Sequence, residues 1–311
     1  MRLLPTFVLL AVVNTIAILF LLVSFTAYNE ADMTLRQSHV NRYQSFLLAD
    51  ELRQSSDDLT RLARTYVVTG DSNYEKQYWD VVDIRNGKLN RPSNYHQIYW
   101  DFVAADPSTS RSDGELISLH DLMEKSGFTD KEFSLLKEAQ NNSDDLINLE
   151  TQAMNAVRGM FKDNAGNYTI KLKADMKLAR QLMHSSDYHR YKANIMRPIN
   201  DFFVELEQRT NGSIQSNLDI TNQQKYLMLS AILFLVTSFA VTFCFIYFRV
   251  VRSARHLSSH LTELTKGNFE IEIGDTSRND EFGDMSKAAF TFKNTMRDAI
   301  KQNWIKTQTN N

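Results

Sequence analysis

Between residues 61 and 100 this sequence gathers its densest set of side chains able to hold a small molecule. They are Arg61, Arg64, Tyr66, Tyr74, Tyr78, Trp79, Arg85, Arg91, Tyr95, Tyr99 and Trp100. Aromatic rings supply flat apolar walls, and a guanidinium grips a carboxylate through two parallel hydrogen bonds. The set suits a small anionic ligand, with Arg61, Arg64, Tyr66, Trp79, Arg85 and Trp100 as the candidate ligand-binding residues. The same residues have a plainer use, in which the aromatics fill a helical core and the arginines pair with Asp58, Asp80, Asp83 or Asp101. Both uses stand at this point.

Elsewhere the spacing of reactive side chains argues against catalysis. The single cysteine, Cys244, excludes an internal disulfide and a cysteine-based zinc cluster, and it reads as a small apolar residue facing lipid or a helix. His184 and His189 are five apart and miss a shared helix face; His256 and His260 are four apart in a segment where exposure is expected. There is no His-Glu-x-x-His, calcium loop, phosphate-binding loop, dinucleotide fingerprint or nucleophile elbow. The expectation is therefore no catalytic residue, no metal, no cofactor and no enzyme. A net charge of −2 gives no reason to expect a nucleic-acid partner.

The elements that must position these residues are helical. Ten glycines and four prolines in 311 residues leave few breakers, which favours long helices. Two stretches are apolar enough to cross a membrane. No charge lies between Arg2 and Glu30, and from Phe7 to Phe25 only Asn14, Thr15 and Ser24 are polar. A helix of that length covers the roughly 30 Å hydrocarbon layer. A cleaved signal peptide fits less well, because Phe25 would occupy the −3 place before Ala27. The second stretch, Tyr226 to Phe248, is also uncharged and is apolar on every face.

Basic flanks set the orientation. Arg249, Arg252 and Arg255 follow the second stretch and Arg2 precedes the first, so both termini are expected in the cytoplasm of a bacterial inner membrane. The segment 28–225 carries 24 Lys/Arg against 29 Asp/Glu, and the segment 249–311 carries 10 against 8. The expected domains are a cytoplasmic start at 1–6, a span at 7–27, a periplasmic helical sensor domain at 28–225, a second span at 226–248, a relay at 249–300 and a tail at 301–311.

Within 28–225, Leu48, Leu52, Ser55, Leu59, Leu62 and Tyr66 step by four and three, a heptad seam open to packing within the chain or against a second copy. The first helix should run from the membrane to about Val68 and stop at Gly70, with Asp71 capping the next. That second helix should end at Asn86-Gly87. A short helix is expected at 95–104, another at 113–125, and a long one from the Thr129-Asp130-Lys131-Glu132 capping box to about Phe161. A loop at 163–167 should lead to helices from Lys171 to Ser185 and from Asp187 to the membrane, with Pro198 kinking the last or starting it. The fold class is all-α: two transmembrane helices, an antiparallel bundle between them, and a cytoplasmic coiled coil.

The coiled coil comes from the last segment. Val250, Ala254, Leu257, Leu261 and Leu264 form one heptad seam; Phe282, Met285, Ala289, Phe292 and Met296 form another. The connector between them, 266–279, alternates apolar residues at Phe269, Ile271 and Ile273. A parallel helical hairpin cannot bury two seams alone, whereas two copies make a four-helix coiled coil.

Residues 249–300 resemble a HAMP domain, the relay of chemoreceptors, sensor histidine kinases and membrane-bound cyclases. The resemblance rests on Leu257 and Leu264, on Gly267-Asn268-Phe269 where the family usually has Gly-Asp-Leu, on Asp280-Glu281-Phe282-Gly283 where it has Asp-Glu-Ile-Gly, and on Ala289-Phe290. Ser253 stands where a proline is common. The relay residues it implies are Ser253, Leu257, Leu264, Gly267, Glu281 and Gly283. Residues 62–92, with Asp187-Tyr-His-Arg and Ile195-Met-Arg-Pro-Ile199, resemble a helical sensor module found ahead of HAMP in bacterial chemoreceptors and cyclases.

These resemblances imply a homodimeric signal-transduction receptor, chemoreceptor-like, that senses a small molecule or a periplasmic protein and passes the signal to a cytoplasmic output protein or domain. No kinase, cyclase or methyl-accepting signature follows the relay in this sequence. The alternatives are a HAMP-only interaction protein that pairs with a separate receptor, and the input half of a histidine kinase or diguanylate cyclase. A transporter subunit is disfavoured because neither span carries a charge.

Overall fold

The computed structural model describes residues 2–111 and 113–309, and 78% of the chain is helical. Met1 of the expected 1–6 segment and Asn310 and Asn311 of the expected tail lie outside the described residues. The chain divides into a central unit, Met33–Leu218, and a terminal unit made of Met1–Asp32 with Asp219–Asn311. Two helices belong to both units: α1 (Leu3–Thr69) and α8 (Ser186–Phe245). Both are long and apolar enough to cross a membrane.

In the central unit α1 is followed by α2 (Ser72–Arg85), α3 (Trp100–Ala105), α4 (Leu119–Lys125), α5 (Asp130–Asn141), α6 (Asp144–Arg158), the strands β1 (Met160–Lys162) and β2 (Tyr168–Lys171), α7 (Met176–Met183) and α8. The junctions follow from local chemistry. Asp71 caps α2 by accepting from the Asn73 N–H at 2.9 Å. At Gly87, φ is +69° and an added Cβ would lie 2.7 Å from the Ser118 nitrogen, so only glycine fits this turn. Thr129 and Glu132 form the reciprocal capping box that starts α5.

Besides the helix expected at 95–104, which begins only at Trp100, four local expectations change. The helix expected at 113–125 begins only at Leu119, because the backbone before it is engaged elsewhere: Arg91 donates its N–H to the Glu115 carbonyl at 3.0 Å, and Ser93 to the Asp113 carboxylate at 2.9 Å. The helix expected from 129 to 161 is two helices. Ser143 turns its hydroxyl back to the Gln140 carbonyl at 2.6 Å, a side-chain bond that competes with the helical ladder. Third, the flanks of the 163–167 loop are a β-hairpin, with Phe161 opposite Ile170, so neither Phe161 nor Lys171 is helical. The Asp163 carboxylate closes its turn by accepting from the Ala165 and Asn167 N–H groups and the Thr169 hydroxyl.

Fourth, Pro198 lies inside α8 and starts nothing. A proline has no N–H for the carbonyl four residues back. That carbonyl, on Asn194, accepts from the Asn142 side chain at 3.2 Å. The α5–α6 break thus supplies the donor that the proline withholds from α8.

The seam on α1 is spent inside the chain: Ser55, Leu59, Leu62 and Tyr66 are all buried. Leu59, Leu62 and Tyr66 belong to a larger apolar core with Tyr78, Val81, Met154, Met183 and Tyr188. A smaller core gathers Ala49, Leu119, Met123, Phe128, Phe202 and Leu206. Leu52 and Phe203 touch both.

In the terminal unit, α1 and α8 pack antiparallel through small residues. Ala17 and Ala231 are fully buried, which lets the backbones approach. Asn14 bridges the pair, its amide donating to the Thr242 hydroxyl at 2.9 Å and its carbonyl accepting from Ser238 at 2.9 Å. Most large side chains, Leu9, Ile16, Phe20, Leu233, Phe234 and Phe243 among them, point outward. Cys244 is exposed. A π-helical segment, Ile246–Val251, joins α8 to α9 (Arg252–Thr265), and a connector leads to α10 (Glu281–Thr309). The core of this hairpin is Leu257, Leu264, Ile273 and Ala289. Leu261, Met285, Phe292 and Met296 of the same seams stay exposed.

Candidate functional site

The two cores of the central unit do not close on each other. Between them α1, α2, α4, α5, α6 and α8 leave a cavity of about 480 Å³, within the range of small-molecule sites. Leu52 and Leu59 come from α1, Leu136 from α5, Leu146 from α6, and Ile195 and Ile199 from α8. These faces are apolar because each helix turns its core stripe inward. Trp79, His120, Lys137 and Ile147 also line the cavity and are exposed, which sets them at its mouth.

One acid reaches the cavity from within. Glu150 on α6 is 3% exposed, and its two oxygens accept from Tyr78 at 2.7 Å and Tyr188 at 2.9 Å. Burial raises its pKa, and the two tyrosine hydrogen bonds pull it back. Burial and the neighbouring carboxylate push the Tyr78 and Tyr188 hydroxyls upward, so both remain donors. Lys192 extends the network, donating to the Ser56 carbonyl at 2.8 Å and the Thr60 hydroxyl at 3.2 Å while facing Asp57 at 3.3 Å. Burial lowers its pKa.

Arg85, at the C-terminal end of α2, is the unmatched charge. It lines the cavity, and burial lowers its pKa, with Tyr78, Tyr95 and Glu150 partly offsetting this. Among the described residues no side chain or carbonyl lies within hydrogen-bond or ion-pair distance of its guanidinium. Other arginines of the unit are matched: Arg91 pairs with Glu51, Arg158 with Glu75, and Arg209 with Glu132 at 2.9 Å.

The six residues singled out in the sequence divide between the two uses foreseen for them. Trp79 and Arg85 line the cavity. Arg61 is an ion-pair arginine, 3.1 Å from Asp58 and 3.7 Å from Asp101. Arg64 donates to the Met183 carbonyl at 3.2 Å and sits over the Tyr188 ring at 4.8 Å. Tyr66 is core, and Trp100 is core with its N–H donated to the Tyr95 hydroxyl at 2.7 Å. Glu150, Tyr188 and Lys137 escaped the sequence reading, since they lie 50 or more residues from Arg85 along the chain. Only Glu150 left a signal, an acid in line with Leu146 and Ala153 on an otherwise apolar stripe.

The second set of candidates surrounds the hairpin of the terminal unit. Leu257 and Leu264 are core, and Gly267 turns the chain out of α9 at φ +86°. Ser253 is buried and accepts from Arg278 at 2.6 Å. Arg278 also grips the buried Asp280 carboxylate at 2.7 Å, which holds the Asp280 pKa low, and Asp280 accepts from the Gly283 N–H at 3.1 Å. A side chain at Gly283 would collide with the Arg278 carbonyl. Glu281 is exposed and accepts from the Leu3 N–H at 2.7 Å. His256 is exposed and His260 half-buried.

No protein-family model, curated protein or solved structure matches this chain.

Proposed function

We propose that this chain is a transmembrane signal receptor of the HAMP-containing, chemoreceptor-like class. In this reading residues 28–225 are a periplasmic sensor bundle, 7–27 and 226–248 are the spans, 249–300 is a HAMP relay, and both termini are cytoplasmic. A ligand or partner protein shifts the bundle between two packings, and the relay passes the change to a cytoplasmic output protein or domain. A coupling energy of about 1–3 kcal/mol is enough for such control.

The observation that carries the reading is the pair α1 and α8. Each is one helix that supplies a membrane-length apolar stretch and also lines the cavity: α1 with Leu52, Ser56, Leu59 and Thr60, α8 with Ile195 and Ile199. Anything that changes their packing at the cavity acts on the two elements that reach the bilayer. The hairpin adds support, because its exposed Leu261, Met285, Phe292 and Met296 lie on seams that a second copy would cover in a four-helix coil. The same exposed seam favours a second reading, in which the partner is the matching hairpin of a separate receptor.

Topology is tested by cysteine labelling in a Cys244→Ser background. An impermeant maleimide should reach Thr109→Cys in intact spheroplasts and Ser259→Cys only after permeabilisation. Equal labelling of both from outside would end the proposal. Cross-linking through Met285→Cys separates the partners: a homodimer of this chain supports the first reading, and a mixed product with another receptor the second.

A further inference from the structure

The cavity in the central unit has a chemistry more specific than shelter for some ligand. Its walls are apolar over most of their extent, with Leu52, Leu59, Leu136, Leu146, Ile195 and Ile199 from four different helices. The two oxygens of its acid, Glu150, accept from the Tyr78 and Tyr188 hydroxyls, and neither oxygen pairs with Arg85. Arg85 alone among the cavity's charged groups is half-buried with no hydrogen-bond or ion-pair partner among the described residues, while Lys137 is exposed at the mouth. A half-buried guanidinium without a partner, set in an apolar cavity, is a ready site for an anion, and its planar fork grips a carboxylate through two parallel hydrogen bonds.

Size narrows the class further. At about 30 Å³ for each water-sized volume, 480 Å³ holds roughly 16 such volumes. That is too large for acetate and too small for a two-chain lipid. We propose that the cavity binds an amphipathic organic monocarboxylate, its head on Arg85 and a hydrocarbon body of about six to twelve carbons among the leucines and isoleucines. Trp79 and Ile147 at the mouth close over the body. The binding claim stands on the cavity alone; its consequence for signalling rests on the receptor reading, because the body would touch both α1 and α8.

The test uses the full chain in nanodiscs of zwitterionic phospholipid, with isothermal titration of octanoate and subtraction of empty nanodiscs. Octanamide keeps the body without the charge, and acetate keeps the charge without the body. Octanoate should bind at least tenfold more tightly than either. Arg85→Gln should weaken octanoate at least tenfold and leave octanamide unchanged, whereas Arg85→Lys should keep part of the octanoate affinity. Leu136→Trp, checked for helix content, should fill the cavity and abolish both. Octanoate binding that survives Arg85→Gln and Leu136→Trp undiminished, or no binding above empty nanodiscs, overturns the proposal. A separate readout isolates the receptor reading: if octanoate binds as described but leaves Met285→Cys cross-linking unaltered, the site stands and the signalling consequence falls.

Discussion

The central and terminal units bury their apolar residues to very different degrees. In the central unit the largest side chains vanish from the surface: Tyr188, Phe202, Leu62, Ile84, Met123 and Met183 are all almost wholly buried. Its buried acids are matched, Glu51 with Arg91, Glu132 with Arg209 and Glu150 with two tyrosines, while Arg85 has no ion-pair partner among the described residues. In the hairpin of the terminal unit only four residues form the core, while Leu261, Met285, Phe292 and Met296 stay more than a third exposed. The contrast teaches where stability and association reside. A unit that closes its own core folds on intramolecular packing; one that leaves a seam open depends on what covers it.

Paired substitutions of equal chemistry put the contrast under strain. Phe202→Ala removes a fully buried ring stacked on Phe128 at 5.8 Å and should cost about 3–5 kcal/mol in denaturant unfolding of the central unit. Phe292→Ala should leave unfolding of the central unit unchanged and weaken self-association of the hairpin, read as Met285→Cys cross-linking in the full chain. If the two cost the same by unfolding, the comparison fails.

Next in size is Arg278→Ala. It strips the charge-assisted bonds from buried Asp280 and the link to Ser253, and should cost about 2–3 kcal/mol. The expected sign is faster proteolysis of the connector 266–280 with no change in the central unit. Asn14→Leu removes the bridge to Ser238 and Thr242 and should weaken the α1–α8 pairing by about 0.5–1.5 kcal/mol, read as altered cross-linking between cysteines placed along the spans.

The smallest effect is in pH, and its sign differs between the units. Glu150 has a folded pKa raised above its ordinary 4.5, so its charge is a cost at neutral pH that relaxes as pH falls toward 4.5. Asp280 has a folded pKa held below its ordinary 3.8, so its contribution is full above 3.8 and is lost as pH falls below that value. Glu150→Gln should therefore flatten the pH dependence of central-unit stability between neutral and 4.5, and Asp280→Asn that of the hairpin below 3.8. Identical slopes in wild type and variant would remove the assignment.

Much of the helical frame was legible in the sequence because it depends on local signals. The stop at Gly70, the cap at Asp71, the Asn86-Gly87 turn and the Thr129–Glu132 box each act within four residues, and each appears where expected. The stretches that depart from local signals obey distant partners. Residues 115–118 are not helical because Arg91 takes a carbonyl there, and of the two roles open to Pro198 the place inside a helix prevails, where Asn142, 56 positions earlier, serves the acceptor it orphans. The cavity is harder still to foresee. Periodicity tells which face of a helix is apolar, but not that two apolar cores will stop short of each other. Arg85 and Arg61 look alike in sequence; the difference is an aspartate within reach of one and none within reach of the other.

The π-helical segment at Ile246–Val251 gives the chain an angular setting as well as a joint. Its i→i+5 bonding holds one residue more per turn than the helices on either side, and each α-helical residue advances the azimuth by about 100° for a rise of about 1.5 Å. One surplus residue therefore turns the helix that follows by about 100°, a little over a quarter turn, for a rise of about 1.5 Å. The segment thus sets which face of α9 continues the face of the helix before it.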